Sequence, residues 1–520
     1  MSEIGADRDK GFFGHPKGLR TLFFTEMWER FSFYGMRALL KPFLYTSIAA
    51  GGMGMASEDA TSIYHIYLAL VYVVSLPGGW IADRFLGQRR AVLVGAIVIM
   101  LGHIALAVHG LSWFLSGLAL VVIGTGFLKP NISTIVGQLY SREDARRDAG
   151  FSIFYMGINL GAFIAPLVTG FLAQKPWFQQ QLAEWGIPAR YCWQFGFGAA
   201  AVGMFIGILQ YIAGGKNMGS AGLEPVPATD PAQRARDLKV LWGGLIGFAA
   251  LIGGGALLHV SGTYVLSIQR IDEAFGWILT GIAVAFFAWM FTAGRYSPDE
   301  RRRLYVIFLL FLASCVFWSA FEQAGSTLND FALLRTRNEI LGVEFPSTWF
   351  QSVNSVLIIL CAPLMAWLWI RLGRRDPSSP IKFSLGLFFA GLGFLILAFG
   401  AGLLVEGNDA VKVGPLWLAL TYLCHSIGEL CLSPVGLSTF SRLAPERIAG
   451  LMLGVFFLSI SVGSYWGGRI ANYYDRADLP NQQLFFAIAG YAIGAALLLA
   501  LFASPIQRML RPASPGGSGH

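Results

Sequence analysis

The chain has 520 residues, 55% of them hydrophobic and only 13% charged, with a mean hydropathy of +0.58. Soluble domains carry about 25% charged residues, so this composition excludes a set of water-soluble domains and fits a chain dissolved in a bilayer. The net charge of +8 does not indicate a nucleic-acid partner, because Lys and Arg gather in short loops between apolar runs, as orientation signals do.

A spanning helix needs roughly 20 mainly apolar residues, and about fourteen such spans can be drawn. They lie near 19–47, 60–84, 90–109, 113–137, 149–174, 193–213, 240–260, 276–295, 303–328, 348–371, 383–405, 414–440, 448–473 and 483–509. The first is too long and too charged for a signal-peptide core and reads as a retained helix. It carries Glu26, Glu29, Arg30 and Arg37 at spacings that put all four on one helix face. Charge inside a bilayer is costly and needs a partner, a cavity or chemistry. Glu26, Glu29 and Arg30 can form a local ion cluster or a functional one. Arg37 lies past the midplane, either snorkelling outward or lining a cavity where its guanidinium can hold a carboxylate bidentately. Lys129 sits in span four beside Pro130, which removes a backbone donor and kinks the helix, a poor structural setting for a cation and a good one for a gate. Asn159 in span five and Asn354 in span ten suit either interhelical hydrogen bonds or the polar groups of a ligand.

Glu322 closes span nine and Glu429 lies inside span twelve. A carboxylate in such surroundings is either structurally paired or tuned to take up and release a proton. Their depths allow two ion pairs across the molecule: Arg37 with Glu322 toward the outer side, and Lys129 with Glu429 toward the inner side. Contacts that form on one side and break on the other are what alternating access needs.

With the N-terminus cytoplasmic, that side collects roughly 26 Lys and Arg against roughly 7 on the other, so both termini are expected inside. Among the cytoplasmic charges are Arg142, Arg146 and Arg147, then Arg295, Arg301, Arg302 and Arg303, and later Arg374, Arg442 and Arg447. A weak repeat relates Gly79–Arg90 to Trp369–Arg375, and Leu128–Thr134 to Leu432–Thr439. Spans one to six thus echo spans nine to fourteen. The expected division is a six-helix bundle over 1–213, a cytoplasmic linker with an inserted two-helix hairpin over 214–302, a second six-helix bundle over 303–511 and a disordered tail over 512–520. Cys192, Cys315, Cys361, Cys424 and Cys431 lack ligand spacing and read as small core residues. No HExxH or GxSxG motif supports an intramembrane hydrolase, so an enzyme is not expected.

Three segments then point to a family. Glu26–Gly35 (EMWERFSFYG) resembles the ExxERFxYYG signature of proton-dependent oligopeptide transporters, the POT/PTR branch of the major facilitator superfamily. Phe154–Gly161 is similar to its FYxxINxG signature, and Gly428–Gly436 to its GELxxSPVG segment. The resemblance implies an all-α membrane fold of two six-helix bundles plus two extra helices. It implies a proton-coupled symporter importing di- and tripeptides, with protons as coupling ion and no cofactor. A functional monomer in the bacterial inner membrane, in contact with lipid, is expected. By the same resemblance Glu26, Glu29, Arg30, Lys129 and Glu322 would serve proton coupling. Arg37–Glu322 and Lys129–Glu429 would be gates, Glu429 would hold the peptide amine, and Arg37 and Lys129 would attract its carboxylate. Tyr34, Tyr72, Asn159, Trp318, Asn354 and Ser433 would line the pocket. Phe33 departs from the family's usual tyrosine and removes a hydroxyl. Plant relatives carry nitrate or hormones, so a facilitator of another small solute, an anion or drug-like molecule, is the alternative.

Overall fold

The computed structural model describes residues 11–510 apart from 142–143, 145, 226–229, 293–295, 406–407, 409, 446–448 and 475–478. Arg142, Arg295, Arg447 and the tail over 512–520 therefore lie outside the described residues, as does the side chain of Arg374. The described residues include fourteen helices of at least 20 residues. In chain order they are α1 Lys17–Tyr45, α2 Ser57–Ile81, α3 Gln88–Ala107, α4 Leu111–Gln138, α5 Arg147–Gln174, α6 Cys192–Ala213 and α7 Pro231–Val260. They continue with α8 Ile268–Thr292, α9 Pro298–Phe321, α10 Phe350–Leu372, α11 Ser379–Ala401, α12 Leu416–Leu443, α13 Ala449–Ala471 and α14 Asn481–Leu501. Among the described residues, twelve helices are long and apolar enough to cross a membrane. Helix α1 is not among them, because Glu26, Glu29, Arg30, Arg37 and Lys41 lie along it.

Two expected spans are interrupted. Span nine stops at Phe321, passes through a 3-10 turn over Glu322–Gly325, and resumes as a short helix, Thr327–Asp330, that runs on to Arg335. Span fourteen ends at Leu501, and Ala503–Leu510 forms a separate short helix. Beyond the span-nine arm, Glu339–Ile340 (β1) pairs antiparallel with Val343–Glu344 (β2) in a small hairpin.

The chain falls into two compact units. The first comprises Met1–Met36, Val73–Ala162 and Gln194–Phe275. Here α1 packs on α5 where the Phe154–Gly161 segment places Gly157 and Gly161 four residues apart. A Cβ on Gly161 would sit 2.2 Å from the Met27 carbonyl oxygen, so only glycine allows this approach. Helices α2 and α4 meet at Gly78 and Gly126, the residue four before Pro130. Proline supplies no N–H to the Gly126 carbonyl, and that oxygen instead lies against Gly78, 2.2 Å from where a Cβ would stand.

Connecting segments in this unit are strapped down. Arg89 donates to the carbonyls of Ala221, Gly215 and Gly219, holding the start of the linker against α3. Before α1, reciprocal backbone bonds join Phe12 and His15. His15 is buried, with Nδ1 3.0 Å from the Tyr140 hydroxyl, and Arg146 donates to the Gly14 carbonyl at 3.1 Å. None of the apolar stretch of α7 is buried, the pattern of a helix surrounded by lipid.

The second unit comprises Arg37–Tyr72, Phe163–Trp193 and Gly276–His520. It contains the C-terminal part of α1, the N-terminal part of α2, the C-terminal part of α5, most of α8 and helices α9 to α14, so the boundary falls inside α8 and, after Trp193, at the start of α6. The division also cuts through α1, α2 and α5. Their distal ends pack with second-half helices: Ser352 in α10 donates to the Phe163 carbonyl, and Trp349 to that of Leu167. Helix α8 docks through Phe287, whose ring lies 4.9 and 4.8 Å from those of Phe308 and Phe311.

Candidate functional site

In the first unit the face of α1 carries a buried ion cluster. Arg30 Nε lies 2.9 Å from Glu26 Oε1, the i,i+4 pair expected from the sequence, and also pairs with Glu29. All three side chains are nearly inaccessible. Lys129, in α4 beside Pro130, lies within electrostatic reach of both glutamates. The cluster is rich in acid for a dry site, and it holds together because each charge has an opposite neighbour. Phe33 is buried, and the Arg30 guanidinium lies 5.4 Å from its ring centroid. A phenylalanine ring suffices for this cation–π contact. Asn159 is buried and donates to the Tyr155 carbonyl of its own helix, while Tyr34 is half-buried beside Phe33.

The second unit contains a denser arrangement. Arg37 Nη2 donates to Glu322 Oε2 at 2.6 Å, and Arg37 Nε donates to the Tyr64 hydroxyl at 2.7 Å. Residues 285 apart in sequence are joined here by a charge-assisted bond with both side chains buried. The break after Phe321 makes this possible: Glu322 caps α9 instead of continuing it. Tyr64 is seated over Gly325, where a Cβ would stand 1.8 Å from the phenol oxygen.

One turn along α1, Lys41 forms a second buried ion pair with Asp330, and Asn329 donates to the Ala38 carbonyl. His65 lies within electrostatic reach of Lys41 and Arg37, its ring nitrogens 2.7 Å from the Ser464 carbonyl oxygen and 3.1 Å from the Ser326 hydroxyl. Lys41, Asp330, Tyr64 and His65 were not among the expected site residues. The available signal was spacing on the intact α1, where Lys41 follows Arg37 by four.

Glu429 in α12 accepts from Asn354 Nδ2 at 3.3 Å, and the same amide donates to Ser426 at 2.9 Å. Glu429 is also within electrostatic reach of Glu322 and Arg37. The structure thus brings Asn354 to Glu429. Trp318 is buried next to Phe317 and Phe321 with no acceptor for its indole N–H among the described residues. Tyr72 stacks near Phe457 with centroids 6.4 Å apart, and Ser433 is half-buried one turn after Glu429. Lys129 belongs to the first unit and Glu429 to the second.

Long apolar helices carrying buried, paired charges define a multi-pass membrane protein. The POT family profile matches residues 89–485, and the chain belongs to that family. It is 42% identical over 504 residues to an "uncharacterized transporter YclF" of Bacillus subtilis, covering 96% of each chain. It is 37% identical to the "Di-/tripeptide transporter" of Lactococcus lactis, covering 96% and 98% of the two chains. A crystal structure of a glutamate-to-glutamine mutant of "peptide transporter POT" with alafosfalin superposes with a TM-score of 0.85, at 40% identity, over 96% and 97% of the chains. A "POT family transporter" with a thioalcohol-conjugated peptide gives 0.86 at 35% identity, over 97% and 99%. The fold is the major facilitator fold implied by the sequence motifs.

Proposed function

We propose that this chain is a proton-coupled symporter that imports di- and tripeptides by alternating access. The observation that carries this reading is the buried Arg37–Glu322 pair, closed across segments from the two sequence halves and reinforced by Tyr64. Relatives of similar length named as di-/tripeptide transporters supply the solute class. With the termini inside, this pair lies toward the outer face. A proton arriving from outside neutralises Glu322 and removes the charge that holds Arg37. The outer ends of the helices then part. A peptide enters with its amine toward Glu429 and Asn354 and its carboxylate toward Arg37 and Lys129. Glu26 and Glu29, which also pair with Arg30, hold Lys129 until the peptide draws it away, and Lys129–Glu429 is the inner counterpart of the outer gate. Tyr34, Tyr72, Asn159, Trp318 and Ser433 line the path. Protons are the coupling ion and no cofactor takes part. The monomer is the transporting unit and sits in the bacterial inner membrane.

The test is uptake of labelled dialanine into proteoliposomes under an inward proton gradient. Concentrative uptake that a protonophore collapses is the expected result. No uptake by folded, correctly oriented protein would send the search to longer peptides and anions.

A further inference from the structure

We infer that Lys41 and Asp330 form a second outer latch, set on the far side of the break in span nine, which must separate for the outer end to open. The inference rests on the proposed orientation and alternating access, and it adds a pair of positioning residues to the Arg37–Glu322 closure.

The two ion pairs straddle the break. Glu322 begins the 3-10 turn that ends α9, and Asp330 ends the short helix after it. Ser326, between them, has φ −119° and ψ −93°, outside helical geometry, so the arm from Thr327 to Arg335 is not a straight continuation of α9. That arm is held to α1 by Lys41–Asp330 and by Asn329 donating to the Ala38 carbonyl, one turn beyond Arg37. Neutralising Glu322 releases only the contact before the break. Lys41 and Asp330, both about 1% exposed, would still join the arm to α1.

Ions rather than apolar side chains suit this position for a physical reason. Well-packed apolar residues in place of a buried ion pair are often as stable or more so. Stability alone therefore does not explain a lysine and an aspartate here. What charges add is reversibility: once water reaches the parted surfaces, each ion recovers its hydration, whereas parted apolar surfaces would remain exposed at a cost and close again. An ion pair thus makes a contact that is firm when dry and easily kept open when wet.

The experiment reads the outer end directly. Ala332 lies on the arm and is fully buried. A cysteine there, in a background with the five native cysteines replaced, is challenged with a membrane-impermeant maleimide added outside right-side-out vesicles. Lys41→Asp, which faces Asp330 with a like charge, should raise the labelling rate at least tenfold. The swap Lys41→Asp with Asp330→Lys should return it to within threefold of the parent. The apolar pair Lys41→Met with Asp330→Leu leaves no unpaired charge, so it guards against loss of folding. It should label more slowly than the parent and slow dialanine uptake by at least fivefold. Labelling of Lys41→Asp at the parental rate, or an apolar pair that transports and labels like the parent, would overturn the latch. Because labelling needs no substrate, a parent that labels as expected but imports no peptide would sink the solute assignment and leave the latch standing.

Discussion

Gly325 is the residue on which the Arg37 site turns, although it carries no chemistry. The Tyr64 hydroxyl occupies the space its Cβ would need, and in turn accepts the hydrogen bond from Arg37 Nε. Gly325→Ala therefore has to push the phenol away from the guanidinium. The expected result is at least a tenfold loss of proton-driven dialanine uptake in a protein that still purifies as a folded species. Tyr64→Phe, which keeps the ring and loses only the bond, should cost less. Normal uptake by Gly325→Ala would show that the placement of Tyr64 does not matter. A second residue-scale case lies outside the membrane. Burial and the neighbouring Arg146 push the His15 imidazole below its ordinary value of 6.5, against a smaller opposite pull from Asp144. Tyr140, its partner, is pushed up to about 12 and stays a neutral phenol. A depressed folded value means that the strap's contribution to stability is complete above pH 6.5 and is lost as pH falls through the folded value. Amide exchange in residues 11–15, corrected for intrinsic rates, should show less protection at pH 5 than at pH 7.5. His15→Phe should flatten that difference.

At the scale of elements, glycine spacing explains a motif that read at first as purely functional. In Phe154–Gly161 the two glycines seat α5 against Phe23 and Met27 of α1, the helix that carries every charge of the ion cluster but Lys129. Gly161→Leu should overpack this contact and cost about 1–3 kcal/mol. A lowered thermal midpoint in detergent, with uptake lost in parallel, is the expected outcome, and an unchanged midpoint would contradict the close approach. The same scale shows what the sequence could and could not reveal. The Glu26–Arg30 pairing was legible because an intact helix fixes which side chains share a face. Most of the long helices were legible because apolar length maps onto membrane thickness, while the charged α1 falls short of that measure. Asp330 was not, because the expected span nine ended at residue 328 and the break over Glu322–Ser326 carries no proline to announce that the chain turns before it. Periodicity counted through that break points the later side chains in the wrong direction. Lys41 near a span end reads as an ordinary snorkelling cation until Asp330 is placed beside it. Arg30 and Phe33 stand three apart on the same intact helix, so their contact falls under the same spacing rule as Glu26–Arg30.

For the whole molecule, the decisive property is what a proton brings with it besides its concentration gradient. A zwitterionic dipeptide carries no net charge, so a cycle that returns empty after importing one peptide with one proton moves one positive charge inward. Each charge crossing 100 mV contributes about 2.3 kcal/mol, roughly a fiftyfold accumulation at about 1.4 kcal/mol per tenfold. A membrane potential alone, negative inside and with pH equal on both sides, should therefore drive concentrative uptake of dialanine. A potassium diffusion potential set by valinomycin in proteoliposomes supplies that condition, and reversing the potassium gradient should abolish accumulation. Glu322→Gln removes the carboxylate proposed to carry the proton while keeping a side chain of the same size near Arg37. That variant should lose potential-driven accumulation while still exchanging peptide already bound on the two sides, because exchange requires no net proton movement. Accumulation by Glu322→Gln at the parental level would move the coupling role to the Glu26–Glu29–Arg30 cluster. Indifference of the parent protein to potential would mean that the cycle is electroneutral, with a compensating charge returning on the empty carrier.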